Sequence, residues 1–422
     1  MQYSVKERMV ATLLSKFPKI KQYVKLVYQR LNYIKYKKDY PFRCDYKISK
    51  ISFENKESFF GYYDKSPISI RNEYIIFQSI NHDTKNKPSD KSIELLLYDI
   101  KNNIYTKIDD IYSYNWQQGC KLMWIGESKF IYNNYDEINN KYVSKIYNIN
   151  TKKFTVIDYP IYDIYKDDYA LSLNFERLNL LRPDYGYINK KQTTINWNEN
   201  KGDGIYYIDI KKNSSKLLIN IDKVIQLHYK KTMNSAKHKF NHIMISPNGS
   251  RFMFLHRWFV GDRKFDSLIV ADIDGTNIKC ISDDDMVSHC FWNNENEIFG
   301  YLRDKKDGDR YFMLDTLTSK KTIIGKDIID QFGDGHPNIS NDNIIFDTYP
   351  NKSRMKELYL FNLRNNNLTK LGEFFESFEF YEETRCDLHP RFSYDGKKFF
   401  FDSVHEGKRQ LYMMDLESGH ES

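Results

Sequence analysis

From Pro41 onward the chain is written in short apolar segments broken by Asn, Asp, Gly and Lys, the rhythm of β-hairpins. One ending recurs: a β-rich run closing on Asp or Asn, as Leu-Leu-Tyr-Asp99, Ile-Tyr-Asn148, Tyr-Ile-Asp209, Val-Ala-Asp272, Met-Leu-Asp315, Leu-Phe-Asn362 and Met-Met-Asp415. Seven such endings predict seven repeats of about three or four strands each, the sequence form of a propeller blade. Radial closure protects the edges of such sheets. The expected fold is therefore all-β, a seven-bladed β-propeller over residues 43–422. The last repeat holds three clear strands, so Tyr46 to Phe53 is the expected donor of its outer strand.

The stretch Asn241 to Trp258 reads as strand, Ser-Pro-Asn-Gly turn and returning strand, which would bring His242 near His256 and Arg257. The unit recurs at Ser288-His289-Cys290, Gly335-His336-Pro337 and Leu388-His389-Pro390, with the histidines 47, 47 and 53 residues apart. In a ring, equivalent positions converge. A single histidine there is more simply structural, bonded to a carbonyl or a neighbouring Asp; four on one rim suit a divalent metal or a general base. Asp387 and His389, two apart, would share a strand face and could share an ion, and Asp334 and His336 repeat the spacing. Asp347 and Asp402 are candidates to orient imidazoles. The poorly periodic run from Tyr169 to Asn200, and Gln226 to Lys239, are long excursions placed to roof the ring.

Residues 1–42 differ. From Pro18 to Lys38, Ile20, Tyr23, Val24, Val27, Leu31 and Ile34 fall at helical spacing among Lys19, Lys21, Lys25, Arg30, Lys35, Lys37 and Lys38. A basic amphipathic helix follows, either lying in a membrane surface or packed on the body. The formal charge is +7, but this tail carries ten Lys or Arg against two acids, leaving 54 against 55 elsewhere. The body has no basic groove, so nucleic acid is not an expected partner. Five cysteines without paired spacing, no apolar run of membrane-span length and no signal-peptide pattern make the cytoplasm the expected location, peripheral at the inner face of the membrane if the helix binds there.

Asn-His-Ile-Met-Ile-Ser-Pro, Ser-His-Cys-Phe-Trp and His-Pro-Arg-Phe-Ser-Tyr-Asp-Gly-Lys-Lys, in this order, resemble the oligogalacturonate lyases and related seven-bladed, TolB-like polysaccharide lyases. The likeness spans the last four repeats and is weaker over residues 60–235. It implies a lyase with manganese in its central cavity. His289 and His389 match metal ligands and His242 matches the catalytic imidazole, whereas Asp387 stands in place of a ligand His and Thr384 in place of a ligand Gln. Carboxylate with imidazole keeps manganese credible, and zinc remains an alternative.

The expected metal ligands are thus His289, His336, Asp387 and His389. His242 and Arg257 are the expected catalytic groups, and His256, Tyr62, Tyr63 and Arg303 the substrate contacts. The implied function is metal-assisted β-elimination on an acidic, uronate-containing oligo- or polysaccharide, which in the cytoplasm suits assembly or trimming of a cell-surface polymer. The alternative is a non-catalytic propeller serving as a glycan- or protein-binding platform.

Overall fold

The computed structural model describes residues 18–188, 195–197 and 199–418, so the expectations for residues 1–17 and for part of the excursion before Asn200 lie outside the described residues. Seven antiparallel sheets follow one another along the chain. They open with Glu57–Phe59, Met123–Ile125, Asp163–Tyr165, Lys237–Ile245, Val287–Trp292, Asn338–Ser340 and Arg391–Phe392, and these first strands are largely buried. The protein is a seven-bladed β-propeller. Its apolar clusters lie between neighbouring sheets: one joins Phe59, Ile76 and Leu96 of blade 1 to Phe130 of blade 2 and to Phe400 and Leu411 of blade 7.

The outer strand of blade 7 comes from the start of the chain. Ile48–Ile51 pairs antiparallel with Gln410–Asp415, Ile48 opposite Met414 and Ile51 opposite Leu411. Just before it, Phe42–Cys44 adds a fifth strand to blade 6 against Leu368–Phe375. One short segment thus spans two adjacent blades and joins the ends of the ring, leaving less exposed sheet edge.

All seven Asp or Asn endings terminate the third strand of a blade. Their side chains then accept from the turn that follows: Asp99 from the Asn102 amide, Asn148 from Thr151, Asp209 from Lys212, Asp315 from Thr318 and Asn362 from Asn365. A short polar side chain that bonds backbone two or three residues ahead stops the strand and bends the chain, which is why the signal repeats.

The helix Pro18–Tyr36 rests on blade 6 through Tyr33, stacked on Phe375 at 5.6 Å and edge-on to Phe378 at 5.7 Å. Its predicted apolar face turns the other way: Ile20, Tyr23, Val24, Val27, Leu31 and Ile34 are all exposed. Among the described residues no helix is long and apolar enough to cross a membrane.

Candidate functional site

The inner strands of blades 4 and 5 are bulged, with register slips between Asn241 and Met244 and between Val287 and Cys290. A bulge breaks strict strand alternation and re-aims the side chain it contains, here His242 and His289. His242 (φ 52°) and His389 (φ 45°) hold left-handed backbone, which costs a non-glycine residue about 1–3 kcal/mol. The result is one cage. The His289 ring lies 4.0 Å from His336, His336 lies 4.3 Å from His389, and His242 lies 5.8 Å from His289, centroid to centroid. Tyr62 stands among them, 5.3 Å from His242 and 5.0 Å from His389, with Tyr63 beside it, 5.6 Å from His336.

Three of the imidazoles are held from behind. His336 Nδ1 donates to Asp347 at 2.8 Å, His289 Nδ1 to Asp334 at 3.1 Å and His389 Nδ1 to the Gly61 carbonyl at 3.0 Å. Carboxylates and carbonyls only accept, so in the neutral rings the proton sits on Nδ1 and the lone pair on Nε2. The Nε2 atoms of His336 and His389 are buried without a hydrogen-bond partner. His336, Asp387 and His389 each place a ligand atom within 4.8 Å of the others. Two unpartnered lone pairs beside a carboxylate, with acceptors fixing the far nitrogens, fit a divalent cation.

Asp387 is also bound by cations, Lys356 at 3.1 Å and Arg385 at 2.7 Å. Lys356 is shared with Glu376 at 2.9 Å and Arg385 with Asp184 at 2.8 Å, so both positive charges are balanced from the other side. Burial alone would raise the Asp387 carboxyl; Lys356, Arg385 and the neighbouring imidazoles outweigh it and hold it well below the usual range. Burial also works to lower His336, but Asp347 prevails and its pKa is raised, while burial and neighbouring positive groups push His389 well below 6.5.

On the other side of the cage, the Tyr62 hydroxyl lies 3.0 Å from Nδ1 and 3.1 Å from Nε2 of His242. Burial, then Arg257 and His289, drive the His242 pKa well below 6.5, and burial drives Tyr62 well above 10. A neutral imidazole therefore shares a hydrogen bond with a neutral phenol. Arg257 is itself buried and paired with Asp266 at 2.7 Å.

Some expected residues lie elsewhere. His256 pairs with Phe240, two positions before His242 along the bulged strand, and faces away from Arg257. Its ring bonds His238 at 2.9 Å and His228 at 3.1 Å, so the expected substrate contact is not made in the cage. Arg303 is a half-exposed fork on Asp309, at 2.7 and 2.9 Å. Asp334 serves His289 and the Ser288 hydroxyl rather than sharing an ion site with His336. Asp402 bonds the Phe60 and Gly61 amides and Arg391 instead of an imidazole. The Thr384 hydroxyl is taken by the Tyr381 carbonyl.

Other residues carry no motif. Tyr185, 5.9 Å from His242 and 5.8 Å from Tyr62, comes from the irregular excursion in blade 3, whose lost periodicity is its only signal. Lys239 is buried with its Nζ unpartnered, and burial together with Arg257 and Arg182 pushes its pKa well below 10.5. The cage is closed over: His242, His289, His336, His389, Tyr62 and Tyr63 are all buried. A cavity of about 500 Å³ lies instead between blades 2 and 3, lined by Tyr135, Tyr142, Tyr159 and Phe175.

Fold and site together define a seven-bladed propeller with a histidine cage at its inner strands. No protein-family model and no curated protein matches the sequence. Among solved structures, the oligogalacturonate lyase of Vibrio parahaemolyticus superposes with a TM-score of 0.59 at 12% identity, over 89% of this chain and 96% of that one. An oligogalacturonate lyase in complex with manganese superposes with a TM-score of 0.57 at 13% identity, over 89% and 97%. The protein shares the fold of these lyases across nearly their whole length.

Proposed function

We propose that the protein is a metal-assisted lyase that cleaves a uronate-containing glycan by β-elimination. The observation that carries this reading is the unpartnered Nε2 of His336 and of His389 beside Asp387, next to the neutral His242 and Tyr62 pair. His336, His389 and Asp387, with His289 alongside, would hold the cation. A divalent ion there, manganese by analogy with the similar lyase complex, would supply positive charge against the uronate carboxylate. His242 takes the proton from the ring carbon next to that carboxylate. The released electron pair forms the new carbon–carbon double bond as the bond to the glycosidic oxygen breaks. Tyr62 gives its proton to the leaving oxygen and regains one from His242 through their hydrogen bond. Arg257 acts through His242: after burial, its charge is the largest influence that lowers the imidazole's pKa. Because the cage is closed, with Tyr62 and Tyr185 packed against His242, substrate entry requires these side chains to move.

The test is incubation with oligomers of different uronic acids, following the ultraviolet absorbance of the unsaturated product end. Absence of that absorbance with every uronate, in protein loaded with manganese, overturns the lyase reading. The aromatic cavity between blades 2 and 3 favours a second reading, a non-catalytic glycan-binding platform, which predicts glycan binding lost in Tyr142→Ala and untouched by His242→Ala. As to place, the unburied apolar face of the basic helix supports a cytoplasmic protein bound peripherally to the inner membrane face, where anionic lipid meets Lys25, Arg30 and Lys35.

A further inference from the structure

Three more histidines form a separate line along blade 4. His238 Nε2 lies 3.2 Å from the Met233 carbonyl, His238 Nδ1 lies 2.9 Å from His256 Nε2, and His256 Nδ1 lies 3.1 Å from His228 Nε2. The carbonyl sets the direction of the whole chain. It only accepts, so His238 carries its proton on Nε2 and offers the Nδ1 lone pair. His256 must then donate from Nε2, and His228 must donate from its own Nε2 into His256. The reverse order would press a lone pair of His238 against the Met233 oxygen. A neutral imidazole has one N–H to give, and in this line each ring spends it on the next acceptor.

The line therefore ends in a bare lone pair on His228 Nδ1, an atom buried without a hydrogen-bond partner. His228, Cys280 and Asp283 each bring a ligand atom within 4.8 Å of the others, and of the two His228 ring nitrogens Nδ1 is the one left free by His256. His228 caps the short helix Ile221–Leu227, while Cys280 lies on the outermost strand of blade 4, Lys279–Ser282, with Asp283 just beyond. The Cys280 sulfur lies 3.8 Å from the Ser282 carbonyl and beside the Ser267 side chain. Lys230 is the competing cation; its Nζ donates to the Asp283 backbone carbonyl and to the Asp285 carboxylate at 3.1 Å, and lies 3.7 Å from the Asp283 carboxylate.

We propose that His228 Nδ1, the Cys280 sulfur and the Asp283 carboxylate form a transition-metal site, zinc by its donor set, separate from the histidine cage. Imidazole, thiolate and carboxylate are the zinc ligand types, and three protein ligands leave the fourth position for water. Each ligating histidine ordinarily donates its other N–H to an acceptor, and here His256 is that acceptor, itself fixed by His238. On binding, the metal–sulfur bond forms as the Cys280 proton leaves to solvent, with no change of oxidation state.

Cobalt(II) titration of the purified full chain tests this, because a thiolate ligand gives cobalt a near-ultraviolet charge-transfer band that imidazole and carboxylate do not. The expected result is that band, bleached by added zinc, retained and saturating at one equivalent in the double variant His336→Ala, His389→Ala, and lost in Cys280→Ser and in His228→Gln. If the wild-type protein shows no such band under excess cobalt, or if Cys280→Ser keeps it, the site does not exist. The wild-type titration decides the matter even if a variant fails to fold. Loss of the lyase reading would leave this outcome untouched, since the readout involves neither cage nor substrate.

Discussion

Asp347→Asn separates the charge that holds the cage from its shape. Asp347 accepts from the backbone N–H of His336 at 2.8 Å, from His336 Nδ1 at 2.8 Å and from the His389 backbone N–H at 3.1 Å. In the near-isosteric amide, the remaining oxygen still accepts both His336 bonds. The new –NH2 group, however, faces the His389 N–H, donor against donor. A stranded buried N–H costs about 1–3 kcal/mol, so the urea-unfolding free energy should fall by that much. Loss of the carboxylate behind His336 also makes its Nε2 a weaker ligand. Removing such an outer partner typically costs 10–100-fold in metal affinity, about 1.4–2.8 kcal/mol. The assay is calorimetric titration of manganese into folded, metal-free protein, with Asp109→Asn as control. Asp109 pairs with Lys145 at 2.7 Å and Tyr132 at 2.6 Å and has no bond to the cage, so its loss should lower stability and leave the metal untouched. A folded Asp347→Asn protein that binds manganese as tightly as wild type would refute His336 as a ligand and the tautomer argument with it.

The other expectations test different parts of the structure. His242→Ala and Tyr62→Phe should each reduce elimination at least 100-fold while leaving manganese affinity unchanged; a parallel loss of metal would move both residues into the ligand set. Lys356→Met removes the buried ammonium shared by Asp387, Glu376 and the Cys386 carbonyl, and should cost about 3–5 kcal/mol in denaturant unfolding, far more than substitution of an exposed lysine. Acid should destabilise the metal-free fold. His242, His256, His289, His389 and His405 have depressed pKa values, so below about 6.5 the unfolded chain binds more protons and stability falls steadily as pH drops; His336, raised, works in the opposite sense. A midpoint of urea unfolding unchanged between pH 7 and pH 5 would contradict the burial of these rings. Val27→Glu with Leu31→Glu should abolish sedimentation with anionic vesicles and leave unfolding within about 0.5 kcal/mol of wild type, since both side chains are exposed.

Period and punctuation along the chain determined the architecture. The seven Asp or Asn endings mark the same strand end in every blade, and at six of them, all but Asp272, the side chain accepts a local backbone hydrogen bond that needs no tertiary partner. The spacing of His242, His289, His336 and His389 likewise places them at equivalent positions of a repeating ring. Side-chain direction was decided only in three dimensions. Bulges at Asn241–Met244 and Val287–Cys290 cancel the two-residue alternation by which His256 and His242 would share a face, and they give Asp334 to His289 instead of His336. The histidine line from Met233 to His228, the lowered pKa of Lys239 and the balanced charges around Asp387 depend on burial and on partners up to two hundred residues away, as Arg385 and Asp184 are. Local hydrogen bonding and periodicity are written in neighbouring residues, whereas desolvation and long-range pairing exist only once the ring has closed.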